Sequence, residues 1–211
     1  MEALFNNLGI ACRKVGVFKQ TVNNKKKIKG NNSKNAKHIM QGHAYYNLGM
    51  FTQAIKFYNR ALKFNPDDEK IHLNLGNAYK KLGMFKEAVK SYKYVVHSKP
   101  NDATAHYCLG LAYGKIGMYK QAKNSLEQSI MIDSSNAKAH FNLAVIHLRL
   151  EDNKAAISEY RILNNLARIG RQTYRNDERP NGISTYNCIF SFSRLILSHY
   201  LPIYISNNKG E

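Results

Sequence analysis

Acidic residues and cysteines are both scarce in this chain, and each shortage closes off a class of function. Only 14 Asp and Glu stand against 32 Lys and Arg in 211 residues, a formal charge of +18. So large an imbalance points, on electrostatic grounds, to acidic peptides, nucleic acid or anionic lipid as partners. The three cysteines, Cys12, Cys108 and Cys188, are odd in number, far apart and without a C-x-x-C pair. Free reduced thiols are expected, with no disulfide framework or cysteine metal motif. Residues 1–7 show no basic stretch running into an apolar one, so no export signal is read there and a cytoplasmic setting is expected. Catalytic signatures are missing as well: no G-x-S-x-G, no P-loop and no G-x-G-x-x-G occurs.

What the chain does have is apolar content, 44% of it, ample for a packed core. By segment, residues 1–34 hold 8 basic and 1 acidic residue, 35–170 hold 19 and 10, and 171–211 hold 5 and 3, so the positive excess reads as spread along the chain. The one dense run, Lys25-Lys26-Lys27-Ile28-Lys29, lies among Asn and Gly residues. That composition buries too little apolar surface to order itself, and 23–34 is read as a solvated loop.

Slid against itself, the sequence repeats every 34 residues. Leu48-Gly49-Met50-Phe51 returns as Leu82-Gly83-Met84-Phe85 and as Ile116-Gly117-Met118-Tyr119. The same step relates His38, His72, His106 and His140, and Ala54, Ala88, Ala122 and Ala156. A period of this length means a solenoid. Within each repeat, apolar residues recur at helical spacing in two stretches, such as Leu73, Leu75, Ala78, Tyr79 and Leu82, then Phe85, Ala88, Val89, Tyr92 and Val96. Gly83 sits where the first helix must end, in the left-handed conformation glycine accepts, and Pro100 stops the second. Each repeat is therefore two helices. Gly42, Gly76, Gly110 and Ala144 on the first, with Ala54, Ala88, Ala122 and Ala156 on the second, are small where backbones must approach, and Tyr58, Tyr92 and Tyr160 fill the space beside them.

Leu75-Gly76-x-x-Tyr79, followed by Ala88, Tyr92 and Pro100, is similar to the L-G-x-x-Y, A, F, P pattern of the tetratricopeptide repeat family. The resemblance implies an all-α right-handed superhelical solenoid of helix-turn-helix repeats. Four repeats can be laid out, 35–68, 69–102, 103–136 and 137–170. The ends are less regular: Gln41 replaces leucine, Ser134 replaces proline, and Glu151 and Asn153 stand where the turn glycine and aromatic are found elsewhere. Residues 1–22 look like a degenerate partial repeat, through Leu8-Gly9, Gly16 and Phe18; it either caps the first repeat or marks the chain as a piece of a longer array. The 171–211 tail matches no repeat. Its apolar stretch 189–205 is interrupted by Arg194, His199 and Pro202 and is read as a capping helix, with a membrane-interface segment as the alternative.

Four histidines stand in register, a pattern that raises the question of a metal site. Equivalent helices of neighbouring repeats lie about 9–10 Å apart, too far for a shared zinc whose nitrogen ligands sit at about 2.0–2.1 Å. They are read as structural. Cys108 lies two residues from His106 and so on a different helix face, unsuited to a nucleophile and base pair. No catalytic residue, cofactor or metal is expected.

What remains is the concave face that first helices line in this family. Carried over residue by residue, that face holds Ile39, His43, Tyr46 and Asn47; Lys70, Leu73, Asn77, Lys80 and Lys81; Thr104, Tyr107, Leu111 and Lys115; and Lys138, Phe141, Val145 and Arg149. The clamp of chaperone-binding members is matched in part by Asn74 and Asn77 but not by Ile39, His43, Thr104 or Cys108. The asparagine ladder of O-linked N-acetylglucosamine transferases is partly resembled by Asn7, Asn74 and Asn142, and broken at Met40 and Cys108. The reading is a protein–protein interaction module that takes a peptide segment, expected to be acidic, into a basic groove and acts as adaptor or assembly scaffold rather than enzyme. The rival is nucleic-acid or membrane-surface binding through the basic surface. It is disfavoured here because the cations interleave with Glu87, Glu127 and Glu159; a membrane contact is expected only through 189–205.

Overall fold

The computed structural model describes residues 31–173, with side chains described for 34–166. Among the described residues all regular structure is helical: α1 (Asn31–Asn47), α2 (Phe51–Leu62), α3 (Glu69–Lys81), α4 (Phe85–Ser98), α5 (Ala103–Lys115), α6 (Tyr119–Ile132), α7 (Ala137–Arg149) and α8 (Asn153–Thr173). The chain divides into two compact units, residues 1–100 with α1 to α4 and residues 101–211 with α5 to α8. In the first, α3 packs on both α2 and α4; in the second, α6 lies against α5 and α7, and α7 against α8. The partial repeat read in 1–22 and the tail segment 189–205 lie outside the described residues. So does the Lys25–Lys29 run. Helix α1 begins at Asn31, inside the stretch expected to be loop. Polar Asn31, Asn32 and Ser33 can form a first helical turn because its N–H groups have no intrahelical partner and are met by water.

Helix boundaries follow from a few residues repeated at the same step. Asp68, Asp102 and Asn136 are the N-caps of α3, α5 and α7, accepting from the backbone N–H of Ile71 (3.1 Å), Ala105 (2.9 Å) and Ala139 (3.2 Å). At the other end of α3 the N–H of Met84 reaches the Tyr79 carbonyl (3.0 Å) and that of Gly83 the Lys80 carbonyl (3.1 Å). This is a Schellman turn, and it needs a left-handed residue at Gly83, whose φ is +76°. Gly49 and Gly117 repeat it at +76° and +79°. In the last repeat Glu151 takes the position at +62°, with Asp152 N–H on the His147 carbonyl at 2.9 Å. The turn persists without its glycine, at the cost of a Cβ in the left-handed region.

Ser134, at the position held by Pro66 and Pro100 in the first two repeats, is also compensated. Asp133 ends α6, and its Oδ1 accepts from the Ser135 N–H (3.1 Å) and the Ser135 hydroxyl (2.7 Å), a local turn that competes with helix continuation.

The tight contact between paired helices is ring against backbone. A Cβ at Gly42 would lie 2.5 Å from Tyr58 Cε1, one at Gly76 2.6 Å from Tyr92 Cε1, and one at Gly110 2.7 Å from Leu126 Cγ. Tyr58, Tyr92 and Leu126 are fully buried at those contacts, and Ala144 packs against Tyr160 in the last repeat. Around them close Ala54, Ala61, Ile71, Leu75 and Ala78 in the first unit, and Ala122, Leu143 and Ile146 in the second.

Two outcomes test this account. Gly76→Leu or Ala88→Leu forces a side chain into a filled contact, and thermal unfolding should show a loss of about 1–3 kcal/mol. Glu151→Gly should do the reverse, raising stability by about 0.5–1 kcal/mol because left-handed strain outweighs the added freedom of glycine in the unfolded chain; an unchanged or lower melting temperature would show that Glu151 is not strained.

Candidate functional site

The first helices carry the candidate residues, and the described contacts show which groups remain available to a ligand. In the first unit, α1 supplies His43, Tyr46 and Asn47, and α3 supplies Lys70, Asn74, Asn77, Lys80 and Lys81. The Asn74 amide nitrogen donates to His43 Nε2 at 3.1 Å, joining α1 to α3. His43 must then be neutral at that nitrogen. Its ring also meets Tyr58 edge-on at 5.7 Å, and although part of it stays open to solvent, burial lowers its pKa below the ordinary 6.5. The Asn77 Oδ1 accepts from the Tyr92 hydroxyl at 2.8 Å, leaving its NH2 to donate outward. Tyr46 stands edge-on to Phe51 at 5.3 Å. Lys70, Lys81 and Asn47 are exposed, while Lys80 is half-buried.

In the second unit, α5 supplies Tyr107 and Lys115, and α7 supplies Lys138, Phe141, Asn142 and Arg149. Asn142 donates to the Lys138 carbonyl (2.7 Å) and the Tyr107 hydroxyl (3.3 Å), so its amide protons are engaged within the unit and its Oδ1 is the group left for a ligand. Phe141 is half-buried beside Ala144, and Tyr107 packs on the Ala122 and Leu126 cluster. Lys115, Lys138 and Arg149 are exposed. Among the described residues, no ion pair engages Lys70, Lys80, Lys81, Lys115, Lys138 or Arg149. The bonds linking first helices, His43 to Asn74 and Tyr107 to Asn142, escaped sequence reasoning: their spacings of 31 and 35 residues depart from the 34-residue step in opposite directions.

The in-register histidines differ in their surroundings, although His72 and His140 share one contact. His38 lies against the rings of Phe57 and Phe64, at 6.0 and 5.8 Å. His72 points Nε2 at the Pro66 carbonyl (2.8 Å) and stacks on Tyr94 at 3.9 Å, whose hydroxyl donates to Asp67 (2.7 Å). His140 points Nε2 at the Ser134 carbonyl (3.1 Å) and Nδ1 at the Glu159 carboxylate (2.5 Å). Both partners of His140 are acceptors, so only the imidazolium satisfies both. The Glu159 hydrogen bond, opposed by burial and aided by the Ser134 carbonyl, raises its pKa above 6.5. Among the described residues no three His, Cys, Asp or Glu side chains are grouped to hold a metal ion, and no helix is long and apolar enough to cross a membrane.

Because the folded pKa of His140 lies above that of the free ring, its bond to Glu159 stabilises the α7–α8 pair fully below pH 6.5 and fades as pH rises through the folded value. Thermal melts across that range should show stability falling with pH in the wild type, with this component missing in Glu159→Gln. Equal pH slopes in both would show that the pair does not form as described.

Two tetratricopeptide repeat models match the chain, one over residues 42–83 and 81–117 and the other over 103–136 and 137–168. Solved structures of MamA share the fold. The MamA RS-1 ArsTM double mutant is 24% identical with a TM-score of 0.67, over 80% of this chain and 95% of that one. MamA 41-end from Desulfovibrio magneticus RS-1 is 23% identical with a TM-score of 0.64, over 79% and 94%. Another MamA crystal structure is 26% identical with a TM-score of 0.58, over 70% and 80%. At these identities the likeness is one of fold. No curated protein sequence matches significantly.

Proposed function

The chain belongs to the tetratricopeptide repeat family, and on that premise we propose that its first helices take an acidic peptide segment of another protein, making it an adaptor or assembly scaffold. The observation that carries the reading is the set of first-helix cations with no carboxylate partner among the described residues: Lys70, Lys80 and Lys81 in one unit, Lys115, Lys138 and Arg149 in the other. A cation with no internal partner is already hydrated, so pairing it with a peptide carboxylate sacrifices no intramolecular contact. The first helices also carry side chains with apolar bodies and polar tips, Tyr46 and Tyr107, together with Phe141. Those types favour recognition because they bury large area with few torsions to freeze. The role is binding rather than catalysis. The repeats are assigned to 35–68, 69–102, 103–136 and 137–170, with 1–22 and 171–211 as flanking segments.

Replacing Lys80, Lys81 and Lys115 together by glutamate tests the reading. The probe is a labelled peptide rich in Asp and Glu, with its Asn and Gln counterpart as control. Wild-type affinity for the acidic peptide should fall as salt approaches 1 M, where the Debye length is about 3 Å. The triple variant should lose binding. Its helical content should persist and its stability change by no more than about 0.5 kcal/mol for each exposed site, with half-buried Lys80 the most sensitive. Binding that survives the triple variant, or ignores salt, would remove the basic first-helix residues from recognition.

A further inference from the structure

The positive excess is unevenly divided between the two compact units. Among the described residues, 31–100 hold 12 basic and 4 acidic residues; 101–173 hold 9 and 6. Within the first unit a large share of the cations is on the second helices, away from the groups assigned to a peptide. Helix α2 and its C-cap carry Lys56, Arg60 and Lys63, spaced i, i+4 and i+7, and α2 contains no carboxylate. Helix α4 carries Lys86, Lys90, Lys93 and His97, spaced i, i+4, i+7 and i+11. On a 3.6-residue turn both rows fall opposite the centre of the buried faces, which are Ala54, Tyr58 and Ala61 on α2 and Ala88, Val89, Ser91, Tyr92 and Val95 on α4, with Val89 at the edge nearest the α4 row. All seven are exposed, and none forms an ion pair among the described residues. Lys56 and Lys90 are equivalent under the 34-residue step, so the repeat presents both rows on the same side.

What lies between the cations selects the partner. The outward face of α2 adds Thr52, Gln53 and Asn59, all exposed hydrogen-bonding groups; the apolar ring nearest its row is Phe57, half-buried and covered by the Arg60 guanidinium at 5.2 Å. The exposed Met50 and Met84 are N-caps that fall on the buried side of the wheel, and Phe64 is stacked on His38. A bilayer surface is gripped by apolar insertion as well as charge, and single strands are held by aromatic stacking platforms; this face offers neither. Rows of cations with amide and hydroxyl donors suit phosphate and sugar oxygens. The three lysines of α4 span about 10 Å along the helix axis, enough to meet more than one phosphate of a duplex face, and His97 continues the row by a further turn. The carboxylates of this unit near α4 are few and occupied or half-buried: Glu87 is half-buried at its flank, Glu69 pairs with Lys99 at its C-cap, and Asp67 accepts from the Tyr94 hydroxyl. Glu127 pairs with Lys123 and Glu159 with His140, both in the other unit.

We propose that the outward face of α2 and α4 is a second binding surface, which holds a nucleic-acid duplex by its phosphate backbone without regard to sequence. It is separate from the first-helix residues, so a ligand there leaves the peptide-binding residues unoccupied.

The test is fluorescence anisotropy of the full chain with a mixed-sequence DNA duplex and the RNA duplex of matching sequence, over about 50–200 mM salt. The logarithm of affinity should fall linearly with that of salt, by about 0.9 for each phosphate contact. The variant K86Q/K90Q/K93Q should flatten the slope by about 2.7, and K56Q/R60Q/K63Q should do likewise. A K80Q/K81Q/K115Q control should leave it nearly unchanged, which separates this surface from the peptide reading. Because the Lys25–Lys29 run is itself basic, the series is repeated with its four lysines changed to glutamine. Circular dichroism confirms that each variant is folded. Flattening by the outward substitutions in both backgrounds supports the proposal, with the DNA and RNA arms telling which duplex is preferred. A slope indifferent to them in either background overturns it. So does an absence of duplex binding, and if the chain then sediments with vesicles of phosphatidylcholine and phosphatidylserine in equal parts, and only with the rows intact, the face belongs to a membrane instead.

Discussion

The fold rests on a ring laid directly on a helix backbone. At Gly42 and Gly76 the missing Cβ lets Tyr58 and Tyr92 occupy space that any other residue would fill. Close approach of the two helices puts the whole ring out of water, and the Tyr92 hydroxyl at its edge is satisfied by Asn77. A buried hydroxyl without a partner costs about 1–3 kcal/mol, so the ring and the amide act together. The hydroxyl of Tyr58 is held well above its ordinary pKa, by burial first and by neighbouring Tyr46 second, as expected for a phenol kept neutral inside a core. In the second unit Leu126 replaces the ring over Gly110, and the contact survives as plain apolar packing.

Once paired this way, each helix has one face committed inward, and the faces left over define what the surface can do. The first helices keep Lys70, Lys81, Lys115, Lys138 and Arg149 in solvent. The second helices of the first unit keep Lys56, Arg60, Lys86, Lys90 and Lys93 there. These are distinct sets on distinct faces. A net charge of +18 does not distinguish them, because it sums over every face of every helix.

The histidine series shows how far one repeat position can diverge. His72 and His140 each point Nε2 at the carbonyl six residues earlier, which the repeat geometry imposes. The second nitrogen is where they part. Glu159 on α8 favours the imidazolium form of His140, held between two acceptors, whereas His72 faces the ring of Tyr94. A position identical in sequence register thus carries a structural charge in one repeat and a stacked ring in another.

The 34-residue period, the two helices of each repeat, the turn at Gly49, Gly83 and Gly117 and the small residues beneath the rings were all determined by the sequence alone. Each rests on local rules of glycine conformation, capping and apolar spacing, which neighbours in the chain suffice to express. The repeats' departures were visible as departures, but not their remedies: that Glu151 would accept a left-handed φ, or that Asp133 would end α6 with its own side chain, depended on the surrounding turn being held in place. The contacts between first helices, His43 with Asn74 and Tyr107 with Asn142, and the buried pair of His140 with Glu159 were decided only by tertiary structure. So was the division of the positive charge between two compact units and two sets of helix faces. Side chains separated by 19 to 35 residues meet according to how one helix is rotated on the next, and that rotation is set by packing summed over the whole unit rather than by any short stretch of chain.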